Sequence, residues 1–129
     1  TVLRHSGIVF AFNSEIWKKF KLGELVSFND NKTGKPSLRN TVYEPQEGDM
    51  PLPPIQGIKD LQKRGSLFCV CDLATKVYGS AVAKKMNLNP DEVYQEMVKG
   101  ILPGVQLVPS GVWALGRAQN NNCAYIFAG

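Results

Sequence analysis

The chain has 129 residues, a length that suits one compact domain with a core of its own and needs no disulfide staples. Its composition, 43% hydrophobic and 20% charged with a formal net charge of +4, is ordinary for a soluble globular protein, and no apolar run approaches the roughly 20 residues of a bilayer span. The basic residues fall in scattered pairs such as Lys18-Lys19 and Lys84-Lys85, without a stripe or interleaved stacking aromatics, so no nucleic-acid footprint is expected.

Thr1 opens the chain without an initiator Met, inside what reads as a strand, and an upstream segment is expected to have been removed. TVLRH is a short strand running into a loop at His5-Ser6-Gly7. In IVFAFNSEIWKKF, Val9, Phe12, Ile16 and Phe20 recur at helical spacing; a helix over about 8–22 is expected, with Ser14-Glu15 as an alternative fresh start. Residues 23–54 change character, because Asn, Asp, Gly and Pro punctuate them too often for a long element. They read as a loop-rich insertion with one short strand around Leu25–Phe28, of a length that often marks a lid or a partner surface.

Order returns at IQGIKDLQKRG, a helix that ends at Gly65 with Lys63-Arg64 in its last turn. SLFCVC follows as a buried strand. DLATKVYGSAVAKKMNL is helical, with Leu73, Val77 and Ala81 spaced for one face. NPDEVYQEMVKGI is a second helix, in which Asn89 is placed to cap, Pro90 takes the first helical position, and Asp91 and Glu92 suit the positive helix start. GVQLVP is the next strand, SGVWALGRAQNNN a helix that Ser110 can cap, and CAYIF a closing strand.

Helices and strands that alternate through short connections predict an α/β fold, a three-layer α/β/α sandwich around a mainly parallel sheet of about four to five strands. In such a sheet the carboxyl ends of the strands share one rim, where ligands bind. Three segments are expected there: Arg4 to Gly7, Cys71-Asp72, and Pro109 to Gly111. Cys71 ends a strand and precedes a helix, whose positive amino terminus favours a thiolate. His5, the single histidine, is the candidate base for it, and Arg4 can hold an anionic sulfur group or pair with Asp72. Asp72 itself opposes thiolate formation by its charge.

Cys69 and Cys71 are expected on opposite faces of one strand and hence unpaired, with Cys69 buried as a small hydrophobe and Cys123 at a strand start far from the rim. Three cysteines and one histidine make no zinc set, and no nucleotide-binding glycine pattern is present. Ser110 lacks the G-x-S-x-G context of a nucleophile and reads as a helix cap. Trp113 reads as core or subunit interface, and with Leu115 as part of a binding face if the protein is not a catalyst.

The stretches LQKRGSLFCVCDLA (61–74) and ILPGVQLVPSGVWALGRAQNNNCAYIFAG (101–129) resemble the DsrE/DsrF-like family of sulfur-metabolism proteins. About half of the chain carries the likeness: a Gly-ended helix, a strand ending in Cys, a helical excursion, then L-P-G-V, V-P-x-G-V, a helix with R-x-Q and a closing A-Y-I. The resemblance implies a small α/β sandwich that assembles as trimers or hexamers, in some members with a strand-end cysteine carrying sulfur as a persulfide. By matching, that cysteine is Cys71. The chain departs from the family in lacking its usual opening strand and helix, in the length of 23–54, and in Asp72, where small or amide residues are common.

Two functions are therefore expected. The first is a sulfur-carrier or sulfurtransferase-like subunit with Cys71 as the thiol, His5 or Arg4 tuning its charge, Asp72 and Ser110 shaping the rim, no cofactor or metal, and a sulfur-relay protein as partner. The second is a noncatalytic oligomeric binding module of the same fold. Longer-form relatives often carry export signals, so the bacterial cytoplasm and the periplasm both fit.

Overall fold

The computed structural model describes residues 1–52 and 56–126. Its centre is strand β2 (Phe68–Cys71), which pairs in parallel with β1 (Val2–Leu3) on one side and β3 (Val105–Val108) on the other. Val2 stands opposite Cys69, and Phe68 opposite Val105. Parallel neighbours require crossovers, and the helices supply them. The result is a mixed α/β architecture with a small open parallel sheet.

That sheet has three strands among the described residues, where four to five were expected. Leu25–Phe28 is not a strand: α2 (Leu22–Leu25) ends there and turns follow. Cys123 to Ile126 of CAYIF carry no strand either, and Phe127 lies outside the described residues. The alternation of side chains along a strand also corrects the expected split of the cysteines. Residues two apart share a face; Val2, Cys69 and Cys71 therefore face one side, and Phe68 and Val70 the other.

The helix expected over 8–22 is broken. A 3-10 helix covers His5–Ala11, Phe12 bridges to Ile101, and α1 (Ser14–Phe20) starts afresh, as Ser14-Glu15 allowed. The break has a cause: Asn13 accepts a hydrogen bond from Ile16 N at 3.0 Å while its own N–H donates to Gly100 O at 2.9 Å, so the chain is capped and pinned there. Trp17, fully buried, donates Nε1–H to Val9 O at 2.8 Å and packs with Phe10 and Phe28.

The remaining helices follow their capping signals. α3 spans Ile58–Lys63, shorter than expected, with Ile55 outside the described residues. α4 (Asp72–Met86) and α5 (Pro90–Lys99) pack together, with Asn89 accepting from the N–H groups of Asp91 and Glu92. α6 (Gly111–Gln119) starts at Ser110, whose hydroxyl accepts from Trp113 N. The stripe Leu73-Val77-Ala81 of α4 does not face the core. Thr75, Gly79, Val82 and Ala83 do, because Gly79 fits against Met97 and Tyr94 of α5. No helix among the described residues is long and apolar enough to cross a membrane.

Residues 26–52 have little regular structure yet are tied down by polar groups. Asn40 Nδ2 donates to Phe10 O (2.9 Å) and Phe12 O (2.8 Å), and its Oδ1 accepts from Val42 N. The Asp49 carboxylate is buried, bonded by Arg39, approached by Lys32 at 3.2 Å and capped by Gln46 N at 2.7 Å. The hydrogen bond from Arg39 holds it well below the carboxylate range, at about 2, although burial alone would raise it.

Two measurements check this anchoring. Replacing Asn40 with Ala leaves two carbonyls without donors and is expected to cost about 2–3 kcal/mol in urea unfolding. Because the folded carboxyl of Asp49 titrates below its ordinary 3.8, its contribution of about 2 kcal/mol is complete above pH 4 and lost as pH falls toward about 2. Asp49→Asn should flatten that acid limb of the stability curve.

Candidate functional site

β2 runs into α4 with no intervening residue: Cys71 is both the last residue of the strand and the cap of the helix. Its Sγ accepts from Ala74 N at 3.4 Å, and its carbonyl accepts from the buried Thr75 hydroxyl at 2.9 Å. The thiol therefore sits against the free N–H groups of a 15-residue helix, where positive potential collects. Cys71 is only 6% exposed, but that exposure opens into a cavity of about 330 Å³.

Four of the five residues singled out on the sequence line this cavity: Arg4, His5, Cys71 and Ser110. They arrive from three rim segments, as a parallel sheet requires. Arg4 follows β1, and Gly7 N donates to its carbonyl at 3.0 Å to begin the 3-10 turn. His5 is exposed and holds a left-handed backbone, φ +48°, which a non-glycine residue adopts at a cost of about 1 kcal/mol. Ser110 is spent on capping α6.

Asp72 is the fifth, and it is turned elsewhere. Its carboxylate accepts from Tyr94 Oη at 2.7 Å and pairs with Lys76 at 2.8 Å, on the α5 side of α4. Burial favours its neutral form, but the hydrogen bonds of Lys76 and Tyr94 and the Lys76 charge outweigh that and lower it. Tyr94 is raised in turn by that hydrogen bond, by burial and by the carboxylate charge. The Asp72 carboxylate is thus paired with Lys76, on the side of α4 that faces α5.

The other thiols differ from Cys71. Burial pushes Cys69 up, which keeps it protonated at neutral pH, and it does not line the cavity. Cys123 is exposed beyond α6 and borders a second groove together with Arg4 and His5, so it lies nearer the rim than a strand start would. All three are free. Among the described residues no group of three or more His, Cys, Asp or Glu is placed to hold a metal ion.

The apolar wall of the cavity was not anticipated. Leu73, Ala74, Val77 and Tyr78 of α4 form one side, and Val112 of α6 the other. Leu73 and Val77 were visible as an i, i+4 pair, but a stripe beginning right after a strand end faces the rim and not the core. Gly111 lets α6 come this close, since a Cβ there would stand 3.1 Å from Arg4 Cβ, 3.3 Å from Val2 Cγ1 and 3.4 Å from Cys71 Cβ.

Comparison of the chain with family models, with curated proteins and with solved structures gives no match. The tight seat of Gly111 makes one prediction about the site. Gly111→Ala should cost about 1–3 kcal/mol in thermal or urea unfolding and shift the NMR resonances of Arg4, His5 and Cys71, because the methyl would press on Arg4, Val2 and Cys71 and force them to give way. Unchanged stability and resonances would mean that α6 is not seated on this rim.

Proposed function

We propose that the protein is a sulfur carrier or sulfurtransferase-like subunit, related to the DsrE/DsrF-like proteins that its second half resembles, in which Cys71 holds sulfane sulfur as a persulfide. The observation that supports this most is the position of Cys71: a thiol at a strand-to-helix corner, bonded by Ala74 N–H, in a cavity shared with Arg4 and His5. In this proposal the Cys71 thiolate attacks the outer sulfur of a donor R–S–SH. A new S–S bond forms at Cys71, the donor's S–S bond breaks, and R–S⁻ leaves. Arg4 offsets the charge of the departing thiolate, and His5 takes the Cys71 proton beforehand and returns it to R–S⁻. No metal or organic cofactor enters the step.

The same kinship carries further proposals. One is a three-layer sandwich of four to five strands; β1 and β3 are both edges in the described sheet and leave places for more. Another is assembly into trimers or hexamers that pass sulfur to a relay protein in the bacterial cytoplasm or periplasm. Trp113 is 55% exposed beside Val112, outside the core, and an exposed aromatic of this kind suits a subunit interface. That exposure also favours the second reading, a noncatalytic oligomeric module that binds a small ligand or protein at the rim.

Polysulfide treatment followed by peptide mass spectrometry separates the two. The carrier reading expects Cys71 to gain one sulfur atom, with Cys71→Ser gaining none. It also expects His5→Gly, which suits the left-handed backbone and should change stability by no more than about 1 kcal/mol, to slow loading. Absence of sulfur on Cys71 in the folded protein would leave the binding module.

A further inference from the structure

The cavity beside Cys71 has more room and more apolar surface than a sulfane sulfur needs. At about 30 Å³ for each water-sized group, its 330 Å³ holds roughly eleven heavy atoms, at the small end of ligand sites. Leu73, Val77 and Val112 line it while remaining 60%, 59% and 66% exposed, so two helices turn apolar side chains toward one open space. Arg4, His5 and Ser110 complete the lining. Arg4 has no carboxylate within ion-pair reach among the described residues, since the acidic groups pair elsewhere or stand apart. Asp72, next to the thiol in sequence, is engaged by Lys76 and Tyr94.

We infer that this cavity binds a small amphipathic anion, with an apolar body of about eight carbons against Leu73, Val77 and Val112 and its charged end at Arg4. Charge complementarity sets the orientation: a guanidinium with no carboxylate partner among the described residues recruits an anion, and the apolar walls recruit a chain that water excludes. The orientation brings the charged end beside Cys71. The inference deepens the sulfur-carrier reading, and rests on it, in naming the donor as an organic persulfide R–S–SH with an apolar R group, whose released R–S⁻ is the amphipathic anion held at Arg4. Arg4 then meets the R–S⁻ released when the outer sulfur moves to Cys71. Hydrophilic persulfides and inorganic polysulfide gain nothing from the apolar wall and are expected to be poorer donors.

Sodium octanoate, with about ten heavy atoms, is the probe, titrated into the full chain by calorimetry or NMR. Saturable binding at one site is expected, weakened about tenfold in Arg4→Gln, a loss typical of a charge-assisted hydrogen bond. It should be abolished in Val77→Asp and in Val112→Asp, which alter exposed positions on two different helices and so are not expected to unfold the chain together. Octylammonium should not bind. Equal binding of octylammonium, or octanoate binding that survives both aspartate variants, overturns the inference. Polysulfide loading of Cys71 keeps the two ideas apart. Loading without octanoate binding removes the ligand class and leaves the carrier; octanoate binding without loading removes the persulfide donor and leaves an anion-binding cavity.

Discussion

The corner between β2 and α4 is the constraint on which the rest of the molecule depends. The middle strand of a three-stranded sheet passes directly into the longest helix, so a single residue, Cys71, must satisfy a strand ladder, cap a helix and border a cavity. Thr75 fixes the corner from inside by donating to the Cys71 carbonyl. With the corner set, α4 can bury Thr75, Gly79, Val82 and Ala83 and seat Gly79 on α5 while its first turns stand over the rim. The site and the core are therefore two faces of one helix.

A second set of forces holds the segment before β2. Its anchors are polar rather than apolar: Asn40 spans the break between the 3-10 helix and α1, and Asp49 gathers Arg39 and Lys32. A buried carboxylate is tolerated because every partner needed to offset its desolvation is present. Removal of Arg39 would leave that charge alone, so the segment is folded on condition that the whole cluster stays intact. Residues 26–52 thus lie against α1 and the 3-10 helix, held there by Asn40 and Phe28.

Much of the sheet and helix pattern was legible because its signals are local. Asn89-Pro90-Asp91-Glu92 and Ser110 announce helix starts, FCVC and VQLV are short β-prone runs, and the alternation of elements gives the rim without any motif. Arg4, His5, Cys71 and Ser110 could be named from that rim alone. What escaped depends on tertiary partners. The apolar spacing of 8–22 continues across Asn13, which leaves Ser14-Glu15 as an alternative start only; the cap on Ile16 N and the pairing of Asn13 with Gly100 decide it. Leu73 and Val77 have the spacing of a core face and lie on an open wall. Asp72 sits beside Cys71 in the chain, but one step around the helix turns its carboxylate to Tyr94 and Lys76. The polar anchors Asn40 and Asp49 had no periodicity to reveal them.

Cys71, although nearly buried, lines an open cavity. The most direct measurement is the rate at which each cysteine of the native protein is alkylated by iodoacetamide as a function of pH, followed peptide by peptide and compared with the urea-unfolded chain. Cys71 is expected to react in the folded state and to be slowed by octanoate, while Cys69, held protonated by burial, lags behind. If Cys71 is alkylated only as fast as the protein unfolds, the thiol is a core side chain and the account of this site is wrong.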